Sequence, residues 1–453
     1  MSADIAQLVP TDTICAIATP PGVGGVGVIR VSGPLSTSIA GQVLDVSPVP
    51  RQAHFSRFKD EDGLTIDSGI ALLFTAPASF TGEDVLELQG HGGPQILQML
   101  MNRVMALGAR PARPGEFSER AFLNNKLDLV QAEAISDLIE SATEASARAA
   151  QRSLEGVFSD RVNKLQQALI DLRVFVEASM DFPDEEIDFL ADSDVLEKLQ
   201  GIDDRLQGLL DQAHQGQLLR DGINIAIAGL PNAGKSSLLN ALAGRDSAIV
   251  TDIPGTTRDV LREYISLDGL PVHVSDTAGI RESTDQVEVE GVRRARATMQ
   301  ASDLVFLVVD STQSPGPQLS LKKEVPDNIP CIEVHNKVDL THVQNTLDEA
   351  SRKVWVSAKT GQGLGKLIHL VKSIVGATES YEGVFSARSR HLDALRRTQI
   401  HIKTGQQQLE KFNAPETLAE ELRLAQKSLG EITGEYLPDD LLGAIFSSFC
   451  IGK

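Results

Sequence analysis

Gly229 to Ser236 read GLPNAGKS, a GxxxxGK[ST] loop set between the apolar run INIAIA and the helical stretch SLLNAL. Such a loop curls its backbone N–H groups around phosphate oxygens at a helix N-terminus, and its glycines stand where a Cβ would obstruct. Lys235 reaches the β and γ phosphates as a point charge and the Ser236 hydroxyl is placed to ligate Mg²⁺. Asn232, Ala233, Gly234 and Ser237 complete the expected phosphate-contacting set. Further along, HVSDTAG sets Asp276, Thr277, Ala278 and Gly279 at the end of a strand-like run. That supplies a second carboxylate for the Mg²⁺ water shell and a glycine amide for the γ-phosphate. CIEVHNKVD then brings Asn336, Lys337 and Asp339. A fixed carboxylate there accepts two hydrogen bonds from the N1–H and N2 amino edge of guanine, an edge adenine lacks. Ser357, Ala358 and Lys359 follow another strand and can bring a backbone amide to the guanine O6. Each of these three segments alone also reads as a strand ending in a polar turn; in this order, within one segment, they imply a GTP site.

The elements that must hold these residues follow from periodicity. From Ile223 to about Val375 short apolar runs (INIAIAG, VHVSD, DLVFLVVD, CIEVHNK, KVWVSA) alternate with helical stretches, the pattern of βαβ units around a parallel sheet. Residues 126–220 carry apolar side chains at helical spacing, and the helical texture returns after the linker-like GATESYEG at 376–383. Residues 1–120 are rich in Gly and Pro with short β-branched runs. The expected fold is multidomain. An N-terminal α+β domain (1–120) precedes an α-helical bundle domain in two parts (121–220 and 378–453) that pack on each other, with a P-loop α/β domain (221–377) inserted between them.

The chain of 453 residues has 42 basic and 62 acidic side chains, a net charge of −20. That excess argues against broad coating of nucleic acid, while leaving room for a local basic face. Residues 181–212 hold 11 acidic against 2 basic side chains, read as solvated helix surface or a docking patch. No apolar run is long enough for a membrane span and the N-terminus lacks a signal-peptide pattern, so a cytoplasmic protein is expected. Cys15, Cys331 and Cys450 are far apart with no CxxC spacing, which supports neither a disulfide framework nor a structural zinc site.

GTP hydrolysis needs a group that positions water. The residue after Gly279 is Ile280, which cannot hydrogen-bond, so another group must act, and RESTDQVEVEGV offers Glu282, Glu288 and Glu290. Here GLPNAGKSSLLN, TDIPGTTRD, DTAGIRE, the flanking helices and the terminal FCIGK together resemble the MnmE (TrmE) family of tRNA-modification GTPases across essentially the whole chain. The resemblance implies Glu288 as general base acting through water, and a K⁺ ion bound by Asn232, Thr251, Ile253 and Thr256 in place of an arginine finger. It also implies Thr257 joining Ser236 on Mg²⁺. For the N-terminal domain it implies dimerisation and a site for a tetrahydrofolate derivative (5,10-methylene or 5-formyl), contacted by Arg30, Glu87, Lys126 and Lys453. Cys450 becomes a candidate for the modification chemistry. The implied activity, with the FAD-dependent partner MnmG (GidA) in a heterotetramer, adds an aminomethyl or carboxymethylaminomethyl group at C5 of the wobble uridine of certain tRNAs.

Other signals read more plainly. Gly22, Gly24 and Gly27 form a literal GxGxxG, but it leads into the strand VIRVSG and not a helix, so a glycine-rich hairpin is expected. His91 in QGHGG reads as a turn histidine. CIGK at the C-terminus is a poor prenylation signal, since Gly452 is not aliphatic and Lys453 is not a usual terminal residue. SARSRHLDALRRTQIHIK is a locally basic helix, read first as a solvated face and second as a tRNA contact. The alternative reading is a ribosome-assembly or other switch GTPase with a related G domain; such proteins usually carry an RNA-binding module with a basic GxxG-type loop, whereas this chain has a Gly-rich N-terminal domain and FCIGK. A membrane-remodelling GTPase is disfavoured by the lack of a basic amphipathic helix or lipidation signal.

Overall fold

The computed structural model describes residues 12–181, 194–244, 262–276, 296–314, 316, 320–341, 347–436, 439–449 and 451–452. The chain divides into one unit of Met1–Ser136 with Gln426–Lys453 and a second of Asp137–Ala425.

The first unit is built on a six-stranded sheet: β1 (Ile14–Ile17), β2 (Gly24–Ser32), β3 (His54–Lys59), β4 (Thr65–Phe74), β5 (Val85–Gly92) and β6 (Arg110–Pro111), in the order β3-β4-β5-β2-β1-β6. Period-two alternation in β2 sends Ile29 and Val31 into the core and leaves Arg30 on the opposite face. The same alternation in β5 buries Leu86 and Leu88 and turns Glu87 outward, directly across from Arg30. Helices α1 (Ser36–Val43) and α2 (Pro94–Ala106) close the apolar face with Ile39, Val43, Leu97, Leu100 and Val104. Proline at the first position of α2 removes a donor that had no partner there. Helices α3 (Glu116–Leu123) and α4 (Leu129–Glu140) follow. The glycine-rich segment is the expected hairpin, with β1 and β2 antiparallel and Ile17 opposite Ile29. His91 differs from expectation: it lies in β5, not in a turn. Its flanking glycines serve close approach, since a Cβ on Gly90 would stand 2.4 Å from Asp67 Oδ2 and one on Gly92 2.6 Å from Gly24 O.

In the second unit a seven-stranded sheet has the order β12-β13-β11-β10-β7-β9-β8. Its strands are β7 (Ile223–Ala228), β8 (Arg262–Leu267), β9 (Leu270–Asp276), β10 (Leu304–Asp310), β11 (Cys331–Asn336), β12 (Leu347–Asp348) and β13 (Lys353–Trp355). β9, β7, β10, β11 and β13 run parallel, and every residue of the central β10 is buried, as a strand covered on both faces requires. The helical part of this unit comprises α5 (Glu144–Leu154), α6 (Val157–Asp181) and α7 (Asp194–Asp221) before the sheet. Within the α/β part lie α8 (Lys235–Ala243) and α9 (Leu364–Val375); α10 (Ser389–Phe412) and α11 (Pro415–Thr433) follow it, and α12 (Asp439–Ser447) belongs to the first unit. The two helical stretches meet as expected: Gln217 of α7 donates to Ser389 Oγ of α10 at 3.0 Å, and Gln399 of α10 to Gln207 Oε1 of α7 at 3.0 Å. The α/β part is thus an insertion into a helical bundle, and the expected fold class is borne out.

Candidate guanine-nucleotide site

β7, β9, β10 and β11 all end at one edge of the sheet, where ligands bind in open α/β folds. The chain leaves β7 at Gly229 with φ +155°, turns through Asn232 at φ +63°, and enters α8 from Gly234 at φ +91°. These positive angles expose successive backbone amides toward a common point ahead of the helix. Gly234 is required for a second reason: a Cβ there would lie 2.3 Å from Asn336 Nδ2. Lys235 Nζ folds back over the loop, donating to Gly229 O at 2.8 Å and Leu230 O at 3.1 Å.

Asn336 and Lys337 brace this loop from the next strands. Asn336, buried at the end of β11, donates to Ala233 O at 3.1 Å and accepts from Ala358 N at 3.0 Å. Lys337, at φ +66°, donates from Nζ to Asn232 O at 2.7 Å and to Asp310 Oδ2 at 2.6 Å. Burial opposes the charge of Asp310, but Lys337 and the hydroxyl and amide of Thr312 outweigh it and hold the carboxyl below the usual carboxylate range. Ser357 donates to Asp339 Oδ1 at 2.6 Å, fixing that carboxylate, while Oδ2 meets no hydrogen-bond donor among the described residues.

The structure therefore brings Asn232, Ala233, Gly234, Lys235, Asn336, Lys337, Asp339, Ser357 and Ala358 into one constellation, with Ser236, Ser237 and Lys359 adjoining. The amide of Ala358 is held by Asn336, so an amide offered to a guanine O6 must be shared with that bond or come from Lys359. Asp276 ends β9 opposite Ile227, one strand over from the loop. Thr251, Ile253, Thr256, Thr257, Thr277, Ala278, Gly279 and Glu288 lie outside the described residues. Asp310 belongs to no motif in the sequence, and its only signal there is an acid closing an apolar parallel strand.

In the first unit Arg30 Nε donates to Glu87 Oε1 at 3.0 Å and Nη1 to Gly452 O at 3.3 Å, with the Phe80 and Phe117 rings 5.8 and 5.9 Å from the guanidinium. Gly452, at φ +93°, packs so tightly that a Cβ would sit 2.6 Å from Ile17 O. Gly452 is thereby held against β1 and Arg30. Lys126 donates instead to Pro77 O at 3.1 Å, in the connection that also carries Phe80. Lys453 and Cys450 lie outside the described residues. Cys15 and Cys331 are thiols pushed by burial up to about 11, unsuited to act as nucleophiles near neutral pH. In the basic helix α10, Arg388, at its N-cap, faces Asp137 at 2.7 Å, Arg396 faces Asp393 at 3.6 Å and Lys403 faces Asp203 at 4.0 Å. No helix among the described residues is long and apolar enough to cross a membrane.

Comparison with known proteins matches residues 13–126 to a family described as the GTP-binding protein TrmE N-terminus and residues 129–450 to the MnmE helical domain. The tRNA modification GTPase MnmE of Hydrogenovibrio crunogenus is 54% identical over 445 residues, covering 98% of this chain and 99% of its own. That of Vibrio cholerae is 54% identical over 451 residues, covering 98% and 100%. Among solved structures, Aquifex aeolicus Era bound to GDP and aluminium fluoride is 26% identical, covering 40% of this chain and 66% of its own, with a TM-score of 0.27.

Proposed function

The chain belongs to the MnmE family of tRNA modification GTPases, and from that premise we propose that it hydrolyses GTP to drive C5 modification of the wobble uridine of certain tRNAs. The observation that carries this reading is 54% identity spanning 98% of the chain, joined to a loop and an Asn-Lys-x-Asp segment already braced against each other. In this reading the amides of residues 232–237 and Lys235 bind the phosphates, and Asp339 clamps the guanine edge through its unengaged oxygen.

The donor set fits Mg²⁺: the Ser236 hydroxyl stands at the N-terminus of α8 beside a loop of exposed amides, with Thr257 assigned to the same ion and Asp276 to its water shell. Mg²⁺ neutralises charge developing between the β and γ phosphates. K⁺ is assigned to Asn232, Thr251, Ile253 and Thr256; the Asn232 side chain makes no hydrogen bond among the described residues, which leaves its oxygen available. Glu288 is assigned as general base through water. A reduced folate is assigned to Arg30 and Glu87, which are paired with each other at 3.0 Å and so would meet one end of it, the carboxylate accepting from the donor edge of a pterin. Lys126 and Lys453 are assigned to the same folate, with Cys450 as the candidate thiol. We assign residues 1–120 to folate binding and dimerisation, 121–220 and 378–453 to the helical domain, and 221–377 to the G domain. A homodimer is supported by apolar side chains left exposed on the first unit's sheet, where Val26, Phe55 and Ile70 are 62%, 75% and 41% exposed, with Val23 just before β2 at 91%. The further partners are the FAD-dependent MnmG (GidA), in a heterotetramer, and tRNA, in the cytoplasm.

Mass spectrometry of wobble nucleosides tests this in cells lacking the gene, complemented with wild type, Asp276→Ala or Cys450→Ser. Loss of aminomethyl-type uridines, restored by wild type alone, is the expected result. An unchanged profile in the deletion removes the modification role.

A further inference from the structure

In a chain of net charge −20, three cations on two packed helices form no ion pair among the described residues. Arg161 and Lys164 of α6 and Arg205 of α7 line one groove of about 280 Å³, floored by Leu165 and Leu209 and opened by Gly208. Among the described residues none of the three forms an ion pair, and Arg161 is held with its guanidinium 5.5 Å from the Phe385 ring centroid. Lys164 and Arg205 are exposed, while Leu165 and Leu209 are 3% and 5% exposed. The contrast with α10 is direct, since Arg388, Arg396 and Lys403 there each face a carboxylate.

We propose that this groove binds the phosphodiester backbone of tRNA, an inference that rests on the reading of the protein as a tRNA-modifying GTPase. Two guanidiniums offer forked N–H pairs that match phosphate oxygens, and an ammonium adds a point charge. Arg161 and Lys164, one helical turn apart, lie roughly 5–6 Å from each other at Cβ and converge on the same groove. An apolar floor lowers the local dielectric and strengthens attraction to an anion. The lining side chains include three cations and no carboxylate, which favours a polyanion as the partner. Contacts of this kind position an RNA without reading its sequence.

The test is an anisotropy titration of a labelled, unmodified tRNA transcript with the full-length chain across a sodium chloride series. Wild type is compared with Arg161→Gln/Lys164→Gln/Arg205→Gln and with the charge-conserving Arg161→Lys/Lys164→Arg/Arg205→Lys. The neutral variant is expected to bind about tenfold more weakly at 0.1 M salt, with a log–log salt slope about 2 units shallower. The charge-conserving variant is expected to keep most of the slope, and GTP hydrolysis by both is expected to match wild type. If the triple variant fails to fold, the exposed pair Lys164→Gln/Arg205→Gln gives the same readout with a proportionally smaller slope change. Equal affinity and slope in wild type and neutral variant overturn the groove and leave the tRNA reading intact. A wild type that binds no tRNA at low salt overturns both.

Discussion

Lys337 Nζ lies 2.6 Å from Asp310 Oδ2, joining the end of β10 to the segment after β11. The same ammonium donates to Asn232 O in the phosphate loop, so a single cation carries the position of β10 into the curvature of the loop. Lys337 holds a left-handed backbone, φ +66°, which side chains other than glycine adopt at some cost and which persists here under two charge-assisted constraints.

Asp310→Asn removes the charge that anchors Lys337 while keeping the shape. A hydrogen bond to a charged group contributes about 1.5–3 kcal/mol, so GTP affinity is expected to fall by roughly 10- to 100-fold. Titration with a fluorescent GTP analogue measures this, and an affinity within twofold of wild type contradicts the role. The sign of the pH effect follows from the depressed carboxyl. Its stabilisation is fully present above the ordinary aspartate value of about 3.9 and is lost only as pH falls through the lower folded value. Binding in wild type is therefore expected to owe no pH dependence between about 5 and 8 to this pair.

Asp339→Asn reverses the hydrogen-bonding character of the oxygen left unengaged beside Ser357. Guanine presents donors at N1 and N2, so an amide N–H aimed there leaves donor facing donor. A xanthine nucleotide carries a carbonyl in place of the N2 amine and restores the match. The expected outcome is a loss of GTP affinity of about 100-fold or more with a gain for xanthosine triphosphate. Competition between the two nucleotides is the measurement, and a parallel loss of both places Asp339 in a structural role.

Gly216→Ala tests the packing of the helical part. Its Cβ would lie 2.0 Å from Phe385 O and 3.1 Å from Ala387 N, so the 385–387 backbone must shift. That segment also carries Ser386, which accepts from Ser153 at 2.9 Å and donates to Asp137 at 2.6 Å. The variant is expected to lose about 1–3 kcal/mol or more. Gly201→Ala, where nothing lies within 4 Å, is expected to gain about 0.5–1 kcal/mol from helix propensity. Thermal unfolding of the two variants should shift in opposite directions.

What could be seen in the sequence was whatever is local along the chain. The phosphate loop reads from a glycine spacing between a strand and a helix, and the βαβ order reads from apolar runs such as DLVFLVVD, buried throughout as β10. The rest depends on which strand lies beside which. Asp310 and Lys337 are 27 residues apart and meet because β10 pairs with β11. Arg30 and Gly452 are 422 apart, and nothing local marks the tail as a neighbour of β2. His91 misled because glycine serves close backbone approach in a sheet as readily as it serves turns. The basic run after Ala387 drew attention by sequence density, yet density does not report pairing; Arg161, Lys164 and Arg205 are scattered in sequence and share a groove in space.

Glu116→Gln tests the most deeply buried charge cluster of the first unit. Glu116 and Arg120 are both fully buried; Glu116 Oε2 accepts from Arg110 Nη1 at 2.9 Å and from Arg113 N at 2.8 Å, and Oε1 accepts from Arg120 Nη2 at 3.2 Å. Burial by itself would raise this carboxyl, but Arg110, the Arg113 amide and Arg120 outweigh it and hold the group below its ordinary range. Glu116 therefore contributes stability that is complete above about pH 4.3 and is lost as pH falls through its lower folded value. Glutamine keeps the shape and loses the charge, while Glu83 and Asp12 still pair with Arg120 at 3.1 and 2.8 Å. At neutral pH the variant is expected to be about 2–3 kcal/mol less stable. Hydrogen exchange of the β2 and β5 amides reports this unit separately from the single tryptophan, Trp355, which lies in the other. The difference between wild type and variant should begin to shrink below about pH 4.3 and vanish only as pH falls through the lower folded value, where the protonated glutamic acid resembles the amide. A difference that stays constant across that range would assign the stabilisation to shape and hydrogen bonding alone.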